Sequence, residues 1–320
     1  MPGGAGTAEL ARRRRLSFDP IYKVLLAAAA ATVFLLVALI VFEVTRGSWL
    51  SIQKIGWGFL VRTQWDPVAD RYGSLPYAYG TLVSSVLALL LAVPLGIGSA
   101  VFLAELASRA LGSVVSFVME LLAAIPSIVY GIWGFFVLAP WLRSTLEPWL
   151  IANWGFLPLF RGTPFGIGML NAGIVLAIMI LPTIVSISRE VLLATPRTLR
   201  EASLALGATK AEAIGVTLDA ARPGILGAVI LALGRALGET MAVTMVIGNT
   251  NRISASLLDP GATMSSVIAN EFTEATGELY LSALIHIALV LFAVTIVVNA
   301  LARALVYFTT GGRRDAAGAA

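Results

Sequence analysis

Thirty-three consecutive residues, Tyr72–Ala104, carry no formal charge. A helix needs about 20 apolar residues to cross a hydrocarbon core about 30 Å thick. Two further runs have the same property: Val24–Phe42, with 19 residues, and Leu279–Ala302, with 24. Only 12% of the chain is charged, against about 25% in a soluble domain. Such a chain is an all-α, polytopic membrane protein.

The spacing predicts six transmembrane helices. Helix 1 lies in 24–46 behind a cytosolic basic tail, 1–23, that contains Arg12–Arg15. It is expected to stay in the membrane as a signal anchor. An extracytoplasmic loop, 47–75, carries Trp49, Trp57 and Trp65, which suit a membrane–water interface. Helix 2 falls near 80–103, with Pro94, Gly96 and Gly98 in its second half, and helix 3 over Leu111–Ala139. Trp141–Phe165 reads as an interfacial loop and Gly166–Ser188 as helix 4. A basic, helix-prone loop, 189–222, precedes helix 5 at Pro223–Gly248. An acidic loop follows, then helix 6 at Leu279–Ala302 and a tail, 309–320. Domain 76–308 thus holds helices 2–6.

Six spans put both termini on one side. That side carries 14 of the 22 lysines and arginines, the other side seven. The bias predicts cytosolic termini and a cytosolic 189–222 loop, and it accounts for the net charge of +4 without nucleic acid as a partner.

The remaining basic residue is Arg235, inside Pro223–Asn251. Eleven steps from Gly224, or roughly 17 Å of helix, place it near the bilayer midplane. Burial there costs at least ~2.5–3.5 kcal/mol. Glu239 follows four residues later, on the same helix face. The pair serves either a transported ion or helix packing, where breaking it would strand a charge. Gly234 and Gly238 have the spacing that admits a second helix closely. Ser127 and Tyr130, beside Pro126 and Gly131, either line a polar path or pack helices.

Other chemistry is scarce. The chain has no cysteine and one histidine, His286, so a metal site is not expected and packing is. It contains no G-x-x-x-x-G-K-[ST] phosphate loop, H-E-x-x-H, G-x-S-x-G or G-x-G-x-x-G. No catalytic residue is assigned, and a pore or transporter subunit remains. A lone secondary anion transporter or a non-transporting scaffold or sensor stays open.

In the 189–222 loop, Glu201-Ala202-Ser203 is followed by three residues and Gly207. This resembles the coupling signature of permease subunits of bacterial ABC importers, although the expected Leu-Pro falls on Asp219-Ala220. Gly234–Val243 with Ile247-Gly248-Asn249, Leu121–Gly131 with Trp133-Gly134, Ala92–Gly98 and Ala269–Phe272 are similar to the PstC type, from phosphate importers. The resemblance implies a type I (MetI-like) permease fold. It also implies a PstA-type second permease, two PstB-type ATPase subunits holding ATP and Mg, and an extracytoplasmic PstS-type phosphate-binding protein. The location implied is the bacterial plasma membrane. Glu201, Ala202 and Gly207 would dock the ATPase, and Arg235 and Glu239 would stand in the translocation path. A molybdate or sulfate permease is the alternative within that class.

Overall fold

The computed structural model describes residues 19–317; the Arg12–Arg15 run lies outside them. Long uncharged runs become helices that overshoot the runs. Helix α1 spans Asp19–Ile55, with the single turn α2 at Gly58–Val61 behind it. Helix α3, Leu75–Val101, ends in a π-helical turn, Phe102–Leu106. Helix α4 covers Arg109–Ala124 and α5 covers Ser127–Trp133. The chain stays helical through α6, Ala139–Trp141, and α7, Glu147–Trp154, with π-helical turns between. Then come α8, Met169–Ala194, α9, Arg197–Ala205, and α10, Lys210–Leu237. Helices α11, Met241–Val246, α12, Met264–Glu271, and α13, Glu278–Ala317, complete the chain. The described residues contain no strand. Five helices are long and apolar enough to cross a membrane, and a sixth span is available if the bent pair formed by α4 and the helix from Ser127 to Trp154 counts as one.

Helix α8 is the axis of the bundle. Its Val175, Leu176, Met179, Ile180 and Ile184 form the main core with Ala88 and Ala92 of α3 and Ala232 and Ala236 of α10. Small residues let these helices close up. A Cβ at Gly173 would overlap the Leu87 side chain, so alanine there would force α3 and α8 apart. Helix α1 is different: the most apolar stretch of its span buries nothing within the chain. Only its later part packs, against α13. The Ser51 N–H donates to Ser282 Oγ at 3.0 Å, and Ser51 Oγ meets His286 Nδ1 at 3.0 Å. His286 also stacks on Phe59, with ring centroids 4.0 Å apart. It is a packing residue, as its isolation in the sequence suggests.

Several boundaries differ from the sequence expectation, among them the end of helix 6, which runs to Ala317 and so takes in the described part of the expected tail. The loop predicted at 47–75 begins only after Ile55, because Ser48 and Ser51 are buried and keep α1 helical. Helix 3 is broken by 90° instead of running through Leu111–Ala139. The segment read as an interfacial loop after Trp141 is helical as far as Trp154, with Leu142 and Glu147 buried; Glu147 Oε2 accepts the Gly166 N–H at 2.9 Å. Helix 5 begins at Lys210, with Pro223 inside it, so the loop leading to it shrinks to 195–209.

The end of the bundle that carries Trp65 and α12 is tied by one carboxylate. Glu271 Oε2 accepts from Trp65 Nε1 at 2.6 Å and from Tyr280 Oη at 2.7 Å. Trp65 is therefore buried core and not an interface anchor, whereas Trp57 is 87% exposed. Beside them the Tyr72 phenol is pushed up to about 12 by burial and by the nearby Asp70 carboxylate, so it remains a donor.

Candidate functional site

Two helices break at positions that pack together. The first break is at Ile125-Pro126. Proline disfavours a helical conformation in the residue before it, and Ile125 is extended, at φ −64° and ψ 130°. Pro126 has no N–H, so the Leu122 carbonyl loses its normal partner four residues on. Tyr130 supplies a replacement: its hydroxyl donates to the Leu122 oxygen at 2.7 Å. Tyr130 is 8% exposed. Its visible role is to clasp the 90° bend. Ser127 starts α5 at the same break and is half-buried. Tyr130→Phe is expected to lower stability by about 1 kcal/mol, because that carbonyl loses its side-chain donor. A lower thermal midpoint of the purified complex, with uptake per complex retained, is the expected reading. An unchanged midpoint with altered substrate affinity would instead make Tyr130 a substrate contact.

The second break is at Gly238. Helix α10 stops at Leu237, Gly238 caps it with φ −94° and ψ 0°, and α11 restarts at Met241. This overturns the expectation that Arg235 and Glu239 share a helix face. Glu239 belongs to the restart: its Oε1 accepts the Ala242 N–H at 3.3 Å, and its backbone carbonyl accepts from Ser265 Oγ of α12 at 2.7 Å. Among the described residues no ion pair joins Glu239 to Arg235. Gly238 is a cap, and a Cβ on Gly234 would meet only the Asn299 side chain, at 3.9 Å. Among the described residues no helix presses on either.

The breaks face each other. A Cβ on Gly131 of α5 would come within 3.0 Å of Ala242 Cα on α11. Non-helical backbone at membrane depth persists only where protein buries it or an aqueous cavity hydrates it. The first condition is met here, since α5 and α11, which follow the breaks, pack directly on each other. Arg235 is exposed and opens on a cavity of about 840 Å³ that Thr183, Gly227, Gly234, Asn299 and Arg303 also line. From Arg222, the last charge before it, Arg235 is 13 steps along α10, or about 20 Å. It stays deep although the helix starts earlier than expected. Asn299 and Arg303, four residues apart on α13, share one face and put a second guanidinium on the same cavity.

The other candidate element is the hairpin of α9 and α10. Gly207 takes φ +89°, and its N–H bonds the Leu204 carbonyl at 3.0 Å while the Ala208 N–H bonds that of Ser203 at 3.1 Å. This pair of bonds closes the helix end in the left-handed manner that glycine permits. Two residues later Thr209 and Glu212 form a reciprocal cap: Glu212 Oε2 accepts the Thr209 N–H at 2.7 Å. The turn is thus fixed at both ends. It presents Leu206, 90% exposed, beside the exposed Glu201 and Ala202. Sequence reasoning singled out Glu201, Ala202 and Gly207 but missed Leu206, whose signal is a large apolar residue directly before a helix-ending glycine.

Residues 92–307 match the family described as "Binding-protein-dependent transport system inner membrane component". The chain belongs to that family. It is a membrane-embedded transport permease with no expected enzymatic set of its own. A Mesorhizobium japonicum "Phosphate transport system permease protein PstC" is 45% identical over 308 residues, 95% of this chain and 94% of the relative. The Haemophilus influenzae protein of that name is 45% identical over 90% of this chain and 93% of its own length. A Methanocaldococcus jannaschii "Probable phosphate transport system permease protein PstC" is 36% identical over 87% of this chain and 90% of its own. The sequence motifs and the relatives agree on the permease type.

Proposed function

We propose that this chain is the membrane-spanning permease of an ATP-driven inorganic phosphate importer, forming half of the translocation pore. One observation carries the reading: a deep guanidinium, with no carboxylate ion-paired to it among the described residues, opens on a cavity among α8, α10 and α13 that a second guanidinium, Arg303, shares. The identity to phosphate permeases over nearly the whole chain supports it.

The chemistry follows from the charges. Phosphate carries one to two negative charges and is strongly hydrated, so it needs a wet path and a compensating cation. The planar donor fork of arginine matches its oxygens. Arg235 provides that transient site without first having to leave a carboxylate. Glu239, fixed by α11 and α12 and only four residues on, keeps a like charge near the anion and shortens its stay; a conducting site must release what it binds. Arg303 then offers the next cation on the same cavity wall.

The PstA-type permease completes the pore, and the PstS-type protein delivers phosphate from outside. Two PstB-type ATPase subunits dock through Glu201, Ala202, Leu206 and Gly207, and ATP and Mg belong to them. Both termini lie in the cytosol of a bacterial inner membrane. The test is purification with these partners and reconstitution in liposomes. Uptake of labelled phosphate that requires both ATP and the binding protein is expected, with little competition from molybdate or sulfate. Uptake without any ATPase, or preferential uptake of another oxyanion, refutes the reading.

A further inference from the structure

Arg200, one residue before Glu201 on α9, pairs with Glu105 in the π-helical turn that ends α3. The Glu105 side chain is 6% exposed and that of Arg200 35%. The contact is an ion pair and not an aligned hydrogen bond, since Glu105 Oε2 has no hydrogen-bond partner. The Arg46–Glu43 ion pair, by contrast, is exposed and lies within one helix. A carboxylate this buried is tolerated when a cation faces it, and removing one partner leaves the other stranded.

The location gives the pair a mechanical meaning. Helix α9 is joined to α8 through the extended Thr195-Pro196 and to α10 through the turn at Gly207. Neither link runs to α3. Beneath the pair is a cavity of about 350 Å³, lined by Glu105, Leu192, Arg197, Arg200 and Leu204 among others. Dense apolar packing therefore does not hold α9 to the end of α3 here; a charge contact spans the gap. Further along α3 are Pro94, which lacks a backbone donor, and Gly98, where an added Cβ would meet nothing within 4 Å. Between these two points Gly96 packs closely on Ile184 of α8, so movement of the end of α3 is passed to the bundle core.

We infer that Glu105 is a positioning residue for energy coupling: through Arg200 it ties the docking helix α9 to α3, so that displacement of α9 by a soluble partner moves a pore-forming helix. This rests on the reading of α9 as the docking segment. The pair transmits movement only; it touches neither phosphate nor ATP.

The test uses the complete importer in liposomes, with phosphate uptake and ATP hydrolysis measured in the same sample. Docking is scored separately by cross-linking from Leu206→Cys, a unique thiol in this cysteine-free chain. Glu105→Gln is expected to keep the cross-link and to lower phosphate moved per ATP about 10-fold, a coupling loss of ~1.4 kcal/mol. Arg200→Glu should behave alike, and the reversed pair Glu105→Arg with Arg200→Glu should recover most of the ratio. Recovery supports the inference even if a single variant fails to assemble. An unchanged ratio in Glu105→Gln, or a reversed pair that assembles and stays uncoupled, overturns it. Absence of the Leu206→Cys cross-link in the otherwise native complex overturns the docking assignment instead, whatever the ratio.

Discussion

Arg235→Gln should yield an importer that assembles normally but takes up phosphate about 100-fold more slowly, since hydrogen bonds to a charged group contribute up to ~3 kcal/mol. Glutamine keeps two N–H donors on a shorter side chain and removes the charge. Arg235→Lys should fall between, because a compact ammonium replaces the charge and not the fork. Uptake by both variants is to be compared at equal amounts of assembled complex. The structure makes this a cleaner test than the sequence suggested. A pair clasped within one helix would leave Glu239 stranded when the arginine is removed. Here Glu239 keeps its bonds to α11 and α12 whatever stands at 235. Loss of assembly would therefore point to a packing role, and uptake at the native rate would remove Arg235 from the path.

Leu206→Asp should weaken association with the ATPase subunits about 30-fold, the ~2 kcal/mol scale of a central apolar contact. Leu206 is 90% exposed at a turn fixed by two caps, so little of its value lies within this chain. Gly207→Val probes the same site differently. A β-branched residue at φ +89° costs at least ~1–2 kcal/mol of backbone strain and would distort the turn. Titration of the ATPase onto the membrane-embedded permeases measures both. If Leu206→Asp binds the ATPase like the native chain, the hairpin is not the docking element.

The fold class was legible because the uncharged runs leave few alternatives. The turn of the α9–α10 hairpin was legible too: Gly207 stands where a left-handed residue closes a helix. The breaks were not. Pro126 reads as a tolerated interruption in a long apolar run, and nothing local says that Tyr130 will complete the freed Leu122 carbonyl and hold a right angle. Gly238 looks like half of a packing motif, yet it is a cap. That one residue removes Glu239 from the face of Arg235. Pro223 misleads in the opposite sense, since α10 continues through it to Lys210. Trp65 was read as interfacial from its neighbourhood in sequence, but its partner, Glu271, is 206 residues away. Glu105 carried no signal at all, because its meaning comes from Arg200 on a distant helix.

The central claim is that water and phosphate reach the Arg235 level of the membrane. Gly234 lines the same cavity and has room for a side chain, and the chain has no other cysteine. Gly234→Cys, in an importer whose partners also lack thiols, should react with an anionic thiol reagent during ATP turnover, and phosphate should slow that reaction. A thiol that stays unmodified in every nucleotide state, while a control on the exposed hairpin reacts, would contradict the account.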